Sequence, residues 1–323
     1  MTALRRLIIA SREARFGVLV VLVIAAIVSF APPPGASHLS GELHNFGHVV
    51  VFAVIGYVVA RLLVRATLLR VGGLAAVVIT LLLGGALGYL TELAQSLMGG
   101  YLSRGDIARD LLGTLVGLIV AISQWPPFVR FRPWLLLAAT VGFAVGAQSL
   151  VSTLLDYRAR AAQMPVLFDP AAVRTARFVE HKGAYAMRTV PLPAPWARQA
   201  GEVAIEVSLD RGPWPGLTLA EPTPDWRAWR TLLVDVTNPG EQPLELILRV
   251  DDARHNGDFT DRYNGPLLVP ARTRTTFRVA LADIANTPRG RRLEMQRIEK
   301  LMVFHGGAIP GARVLISRIE LAR

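Results

Sequence analysis

Cysteine is absent from the 323 residues of the chain. Disulfide bonds and thiolate metal sites are therefore excluded. The sequence also lacks a nucleophile elbow, a glycine-rich phosphate loop and a zinc-ligand motif, so it carries no familiar catalytic signature. Long apolar runs are missing after about residue 156, although 52% of all residues are hydrophobic. The length and this uneven distribution indicate two domains, of which the first is the more apolar.

Acidic residues are too few to balance the basic ones, and the net charge is +11. A basic domain can bind nucleic acid, but the position of the charge argues against that interpretation. Residues 1–164 contain 13 arginines and 6 acidic residues, and most of this excess lies in short segments beside apolar runs. Residues 165–323 contain 22 basic and 18 acidic residues. We therefore expect no nucleic-acid partner.

Five apolar segments are long enough to cross a bilayer, whose core of about 30 Å requires roughly 20 apolar residues per helix. The first segment follows four arginines, as a signal peptide would. A small-residue cleavage site is missing where Pro32, Pro33 and Pro34 follow its core, so a retained helix is favoured. The sequence thus predicts an all-α, five-helix transmembrane domain over residues 1–155. Its helices cover residues 16–32, 46–64, 71–95, 107–125 and 133–155.

Arginine placement predicts the orientation of these helices. Arginines lie before the first span, between the second and third spans, and between the fourth and fifth spans. The loop at residues 33–45 contains none, and the loop at residues 96–106 contains only Arg104. Because positive residues are retained on the cytoplasmic side, we expect a multi-pass protein of the bacterial inner membrane. Its N-terminus would lie in the cytoplasm and its C-terminal domain in the periplasm or outside the cell.

Polar side chains from three predicted helices fall in one layer near the outer face. Glu92 lies about 20 residues, or roughly 30 Å, beyond the start of the third span. His48 lies in the first turn of the second span, and Asp106 and Asp110 lie near the start of the fourth. The layer predicts a ligand-binding site formed by His48, Glu92, Gln95, Arg104, Asp106 and Asp110.

The chemistry of this polar layer is open to several interpretations. Glu92 with His48 and His44, which share a helix face, could ligate zinc. Hydrogen bonds that orient the helices explain the same residues, and we expect no metal ion and no cofactor. Glu92 and Asp106 are candidate catalytic residues, because one of two adjacent carboxylates has a raised pKa and can act as a general acid. The alternative is a salt-bridged layer with the nearby arginines.

Small residues predict which helices pack together. Gly113 and Gly117 continue the face of the fourth span that carries its acidic residues, and the third span has glycines of its own. Glycines let two helices approach closely in a membrane. We therefore expect the third and fourth spans to pack, which brings Glu92 near those acidic residues.

Three short motifs resemble those of the VanZ-like membrane proteins. That family has a histidine at the start of one helix, a Glu-x-x-Gln at the end of the next, and an Asp-x-x-x-Asn-x-x-Gly at the start of another. Here the family's asparagine is replaced by Asp110, and Gly100 stands where arginine is usual. The resemblance covers residues 15–125 and implies a cell-envelope protein associated with glycopeptide (teicoplanin) resistance. The matching segments are Leu43-His44-Asn45-Phe46-Gly47-His48, Thr91-Glu92-Leu93-Ala94-Gln95 and Ser103-Arg104-Gly105-Asp106 through Asp110 to Gly113.

The second half has the pattern of a β-domain. Along one predicted strand, apolar side chains recur every second residue from Leu244 to Val250, as on a half-buried strand. Turn signals such as Asn238-Pro239-Gly240 separate the strands. We expect a polar linker at residues 156–164 and a jelly-roll-like β-sandwich over residues 165–323 that resembles the galactose-binding-like domains, many of which bind carbohydrate. The predicted strands cover residues 203–207, 232–236, 244–250, 275–281 and 314–321.

Tryptophans of the second half are candidate sugar-stacking residues. Trp226 and Trp229 are our ligand-binding candidates, Trp214 is a third possibility, and core packing is the alternative for each. Four acidic residues in one loop could bind calcium, but a solvated acidic loop is favoured. These four are Asp251, Asp252, Asp258 and Asp261.

These features together predict a non-catalytic membrane protein of the cell envelope. Its partners would be the lipid bilayer and a cell-wall or exopolysaccharide glycan or a lipid-linked precursor at the outer leaflet. The alternative is a membrane-embedded enzyme that acts on a lipid head group, with Glu92 and Asp106 as acid and base.

Overall fold

The chain divides into two compact units, Met1–Leu154 and Leu155–Arg323. A computed structural model describes residues 37–65, 73–98, 102–180 and 187–323. The described part of the first unit is helical, and that of the second consists mainly of antiparallel β-strands. The predicted architecture, an all-α helix bundle followed by an all-β sandwich, is confirmed.

Four long helices make up the described part of the first unit, and they correspond to the last four predicted spans. The first predicted span, residues 16–32, lies outside the described residues. The first described helix begins at His38, earlier than predicted, because Ser37 caps it: the Ser37 hydroxyl accepts from the Ser40 amide at 3.1 Å. His48 therefore lies in about the third turn rather than the first. The helices are α1 (His38–Arg65), α2 (Gly73–Leu97), α3 (Arg104–Ile122) and α4 (Arg132–Ala162).

Three described segments are long and apolar enough to cross a membrane: His38–Val64, Gly73–Leu97 and Pro126–Ala162. The sequence predicts a crossing helix at α3 as well. This helix has 19 residues, and its first two turns carry two arginines and two aspartates. Because a charged side chain at membrane depth costs about 2.5 kcal/mol or more, the polar start of α3 sets it apart from the other three.

Glycines bring α3 close to both of its neighbours. On α3 itself, a Cβ at Gly113 would lie 2.5 Å from the Val49 carbonyl oxygen of α1. On α2, a Cβ at Gly88 would lie 2.8 Å from Asp110 Oδ2 of α3. The predicted packing of α2 with α3 is observed. The glycines of α3, however, contact the backbone of α1, whereas the glycines of α2 contact side chains of α3.

The helix α4 continues past its predicted end, so residues 156–162 of the expected linker are helical. Two polar side chains of this stretch have partners within the second unit. Asp156 lies 3.1 Å from the guanidinium of Arg174, and Arg160 donates to the main-chain carbonyl of Glu221. In the sequence this polar stretch has the composition of a linker. Its ion-pair and hydrogen-bond partners lie 18 and 61 residues away along the chain, so the local pattern does not show them.

The described part of the second unit contains eleven strands in two antiparallel sheets. The strands are β1 (Val166–Phe168), β2 (Val179–Glu180), β3 (Met187–Pro191), β4 (Val203–Ser208), β5 (Gly216–Ala220), β6 (Thr231–Asn238), β7 (Leu244–Asp252), β8 (Tyr263–Val269), β9 (Thr273–Ala280), β10 (Ile298–Phe304) and β11 (Arg313–Ala322). One sheet has the order β3-β4-β11-β6-β9, with β1 also paired to β11. The other has the order β2-β5-β10-β7-β8. The five predicted strands correspond to β4, β6, β7, β9 and β11.

The hydrophobic core of the second unit lies between the two sheets. Along β7, the buried side chains run from Leu244 to Val250 at every second position. The intervening residues Glu245, Ile247 and Arg249 therefore lie on the opposite face of the sheet. This outer face of the β2-β5-β10-β7-β8 sheet carries the pocket described below.

Candidate functional site

A buried polar cluster in the helical unit is formed by His44, His48, Glu92, Asp106 and Asp110. Within it, His48 Nδ1 lies 2.9 Å from Asp110 Oδ1, and His48 Nε2 lies 3.4 Å from His44 Nε2. The side chains of His48 and Asp110 are 1% and 0% exposed. The Asp110 carboxylate thus orients the imidazole of His48, whose second nitrogen is directed towards His44.

Glu92 is the acid that α2 contributes to this cluster, and none of its surface is exposed. Its Oε2 accepts from the main-chain amide of Ser103 at 2.8 Å, just before α3 begins. Within the described part of the chain, no group forms a hydrogen bond to Oε1. A buried carboxylate oxygen without a partner is costly, so this atom is a candidate ligand contact.

Asp106 lies at the more open edge of the cluster. Its Oδ1 accepts from Arg109 Nη1 at 2.5 Å, one turn along α3. Of the other predicted layer residues, Arg104 is exposed at the first position of α3, and Gln95 is half-buried near the end of α2. Arg109 rather than Arg104 therefore supplies the positive charge next to Asp106.

The second unit has a cavity of about 530 Å³ on the outer face of the β2-β5-β10-β7-β8 sheet, which we call the sheet-face pocket. Its floor comes from β7, β8 and β10, and its rim comes from the segment before β5 and the loop between β7 and β8. A pocket of this volume accommodates a small oligosaccharide or a molecule of similar size. It is lined by Trp214, Glu245, Ile247, Arg249, Phe259, Arg262, Asn264, Gly265, Pro266, Met302, Phe304 and Gly306.

Two aromatic side chains stand open to solvent in the sheet-face pocket. Trp214 is 61% exposed and Phe259 is 66% exposed. The guanidinium of Arg262 lies 5.2 Å from the centroid of the Phe259 ring, within cation–π range. Because both belong to one cavity rather than to scattered surface positions, they are candidates for a contact surface.

Two buried polar atoms of the pocket residues have no hydrogen-bond partner within the described part of the chain: Arg262 Nε and Asn264 Oδ1. Burial lowers the pKa of Arg262, and the neighbouring Arg249 lowers it further. Arg249 is itself paired with Asp251, whose Oδ2 lies 2.5 Å from its Nη2. Two residues that line the pocket therefore each carry a buried polar atom without a partner among the described residues.

The two predicted sugar-binding tryptophans do not line this pocket. Trp226 is fully buried in the core, and its Nε1 donates to the Thr223 carbonyl at 2.7 Å. Neither face of its ring is open to a sugar, because both pack against the interior. Trp229 is half-buried against the same core, with Arg323 5.7 Å from its ring centroid.

Arg291 organises the acidic loop that the sequence presents as a calcium site or a solvated loop. Its guanidinium binds both carboxylate oxygens of Asp252 at 2.7 and 2.8 Å and also pairs with Asp261. Hydrogen bonds from Arg291 lower the pKa of Asp261 to about 2. Asp258 accepts from the Thr260 amide at 2.8 Å. These carboxylates are thus held by protein donors, and Asp252 is buried rather than solvated.

Three of the pocket residues that were not predicted from the sequence share one signal. Glu245, Ile247 and Arg249 alternate with the core leucines of β7, and an apolar residue between two charged ones on an outward face is a mild indication of a binding surface. Phe259, Arg262 and Asn264 gave no such signal, since they lie in and just after a loop.

No protein-family model matches the chain, and no curated protein matches it. Among solved structures, an exo-β-agarase shares 14% identity over 48% of this chain and 24% of its own, with a TM-score of 0.38. A family 11 carbohydrate-binding module from Clostridium thermocellum shares 10% identity over 45% of this chain and 86% of its own, with a TM-score of 0.32. The CBM22-1 xylan-binding domain from Paenibacillus barcinonensis shares 13% identity over 46% of this chain and 88% of its own, with a TM-score of 0.31. At these TM-scores the similarities identify neither a family nor a ligand for this chain.

Proposed function

We propose that this protein is a membrane protein whose β-sandwich binds a glycan bearing carboxylate groups in the sheet-face pocket. The proposal rests on one cavity that is lined both by open aromatic rings and by polar side chains with an unpartnered buried atom. The rings are those of Trp214 and Phe259, and the atoms are Arg262 Nε and Asn264 Oδ1.

Each part of the pocket matches one part of an acidic sugar. The apolar face of a pyranose ring packs on an aromatic side chain, which offers a rigid contact surface. A guanidinium donates charge-assisted hydrogen bonds to a carboxylate, and the side chain of Arg262 lines the pocket. The side-chain amide of Asn264, a group that hydrogen-bonds hydroxyls, lines it as well. A uronic acid is the simplest ligand that uses all three features.

The helical unit supports a location in the bacterial cell envelope. Among the described residues, three helical segments are long and apolar enough to cross a membrane. The resemblance of residues 15–125 to VanZ-like proteins and the arginine distribution support an inner-membrane protein with the β-sandwich outside the cytoplasm. In that location, a cell-wall or exopolysaccharide glycan or a lipid-linked precursor is within reach of the pocket.

Binding of defined polysaccharides by the full chain in nanodiscs tests this proposal. Polygalacturonate and alginate supply carboxylates, and a neutral glucan is the matched uncharged probe. We expect the two acidic polymers to bind and the glucan to bind more weakly. The Arg262→Met variant should lose the preference for acidic polymers, whereas Arg278→Met, which removes an exposed arginine on β9, should keep it.

Two results would contradict the proposal. Equal binding of the acidic and neutral polymers would show that the carboxylate is not recognised. If the folded protein binds none of the polymers, the pocket is not a glycan site.

A membrane-embedded enzyme that acts on a lipid head group is the second candidate function. The observation that favours it is the closeness of Glu92 to Asp106 in the polar cluster, where ligand atoms of both lie within 4.8 Å of each other and of a His48 ring nitrogen. Two carboxylates of different burial can act as general acid and base. Glu92 is fully buried, whereas Asp106 retains 16% exposure.

Incubation of the full chain with bacterial lipid extract, followed by mass spectrometry, tests this second function. Wild-type protein should convert one lipid class, and Glu92→Gln should bind the same lipid without converting it. Unchanged lipid profiles with folded wild-type protein would exclude the enzyme.

A further inference from the structure

Three side chains with metal-ligating atoms converge within the polar cluster, and each comes from a different helix. His48 lies on α1, Glu92 on α2 and Asp106 on α3, and one ligand atom from each lies within 4.8 Å of the other two. We propose that these three residues bind a divalent transition-metal ion, of which Zn²⁺ is the simplest example.

Distances within the cluster are close to those that a metal needs. A tetrahedral Zn²⁺ with bonds of about 2.0–2.2 Å holds its ligand atoms roughly 3.3–3.6 Å apart. The ligand atoms of the cluster lie within 4.8 Å of one another, so small side-chain shifts of about 1 Å would bring them into this range. The Nε2 atoms of His44 and His48 are already 3.4 Å apart, so His44 is placed to supply a further nitrogen.

The unpartnered oxygen of Glu92 also points to a bound cation, independently of the distances. Glu92 is fully buried, its Oε2 is held by the Ser103 amide, and its Oε1 receives no hydrogen bond from the described residues. Burial of an ionised carboxylate is tolerated when the group is paired or coordinates a metal. A cation between Glu92, His48 and Asp106 gives Oε1 its missing partner.

The neighbours of the three ligands match the surroundings of a metal site. A histidine that ligates a metal through one nitrogen usually donates through the other to a carboxylate. Asp110 provides this carboxylate for His48 at 2.9 Å. Arg109 holds one oxygen of Asp106, and the other oxygen of a carboxylate can still ligate a metal.

The charge of the cluster also favours a cation. Three carboxylates, those of Glu92, Asp106 and Asp110, belong to the cluster. Among the described residues, Arg109 pairs with Asp106 and His48 pairs with Asp110. A divalent ion balances the remaining negative charge. The presence of imidazole nitrogen beside oxygen ligands favours a transition metal over Mg²⁺ or Ca²⁺.

Metal analysis of the full chain in detergent tests this inference. The protein is stripped with a chelator, reloaded with Zn²⁺, desalted and measured by mass spectrometry of the elements. We expect one Zn²⁺ per chain in the wild type and at least about a tenfold loss of affinity in Glu92→Gln. The matched control is Glu42→Gln, which removes a carboxylate elsewhere on α1 and should bind as the wild type does.

X-ray absorption of the Zn²⁺-loaded wild type tests the site without any variant that could misfold. The inference predicts a shell of nitrogen and oxygen ligands with the scattering signature of imidazole. A wild type that retains no Zn²⁺ after reloading, a Glu92→Gln variant that binds as tightly as the wild type, or a shell without imidazole would each overturn it. None of these outcomes depends on the sheet-face pocket, so the glycan proposal stands or fails separately.

Discussion

His48 on α1 and Asp110 on α3 form a buried pair, with 2.9 Å between Nδ1 and Oδ1. The two residues are 62 positions apart in the chain. The pair joins two helices that also approach each other through the glycines of α3. It therefore ties the orientation of the imidazole to the packing of the helical unit.

Loss of Asp110 should destabilise the helical unit, because it leaves the buried imidazole of His48 without its partner. We expect Asp110→Ala to lower the free energy of unfolding by about 1–3 kcal/mol. Asp110→Asn keeps an acceptor oxygen and should cost less. Thermal unfolding of the full chain in detergent measures both variants. Strictly additive effects of Asp110→Ala and His48→Ala in a double-mutant cycle would show that the pair contributes nothing.

A methyl group at Gly113 should separate α3 from α1. The added Cβ would lie 2.5 Å from the Val49 carbonyl oxygen and 2.9 Å from Phe52 Cβ, so one helix must move. We expect Gly113→Ala to cost roughly 1–3 kcal/mol, as overpacking does. Gly47→Ala is the control, because nothing in the described residues lies within 4 Å of a Cβ there. The melting temperature of each variant is measured from size-exclusion profiles after heating. Equal melting temperatures for Gly113→Ala and Gly47→Ala would contradict the close approach of α3 to α1.

Acid should destabilise the β-sandwich through carboxylates that arginines hold ionised. Hydrogen bonds from Arg274 lower the pKa of Glu202 to about 2. An unfolded glutamate has a pKa of about 4.3, so the folded state binds its proton less readily. This contribution to stability is present above about pH 4 and is lost as the pH falls towards 2. Arg291 acts on Asp261 in the same direction.

Melting of the β-sandwich between pH 7 and pH 2 measures this dependence. The wild type should lose stability mainly below about pH 4. Arg274→Met should be less stable at pH 7 and should lose less on acidification, because its Glu202 no longer has the lowered pKa. Arg278→Met, on the same strand, should follow the wild type. An Arg274→Met curve parallel to that of the wild type would contradict this cause.

The sequence predicts the two units because their signals are local. Apolar runs identify the helices, and the alternation from Leu244 to Val250 identifies a strand with one buried face. The partners of Asp156 and Arg160 are not local, which is why a helical, ion-paired stretch has the composition of a linker. Helix α1 begins earlier than its apolar run because a serine cap, not hydropathy, sets its start.

The two candidate sites also differ in how far the sequence predicts them. Counting residues along the predicted helices places His48, Glu92 and Asp106 in one layer, and the structure brings these three together. The sheet-face pocket is harder to predict, since it combines a loop residue such as Phe259 with strand residues from β7. The local sequence does not show which tryptophan is available to a ligand. Trp226 is buried in the core and Trp214 is exposed, although both follow proline-containing segments.

Titration of an oligogalacturonide into the full chain and into its pocket variants is the most direct test of the central claim. Trp214→Ala and Phe259→Ala should each weaken binding by about tenfold or more, as loss of a central aromatic contact does. Leu268→Ala removes an exposed apolar side chain from β8 outside the pocket lining and should leave the affinity unchanged. Wild-type affinity in both aromatic variants, or a Leu268→Ala effect as large as theirs, would contradict a glycan site in the sheet-face pocket.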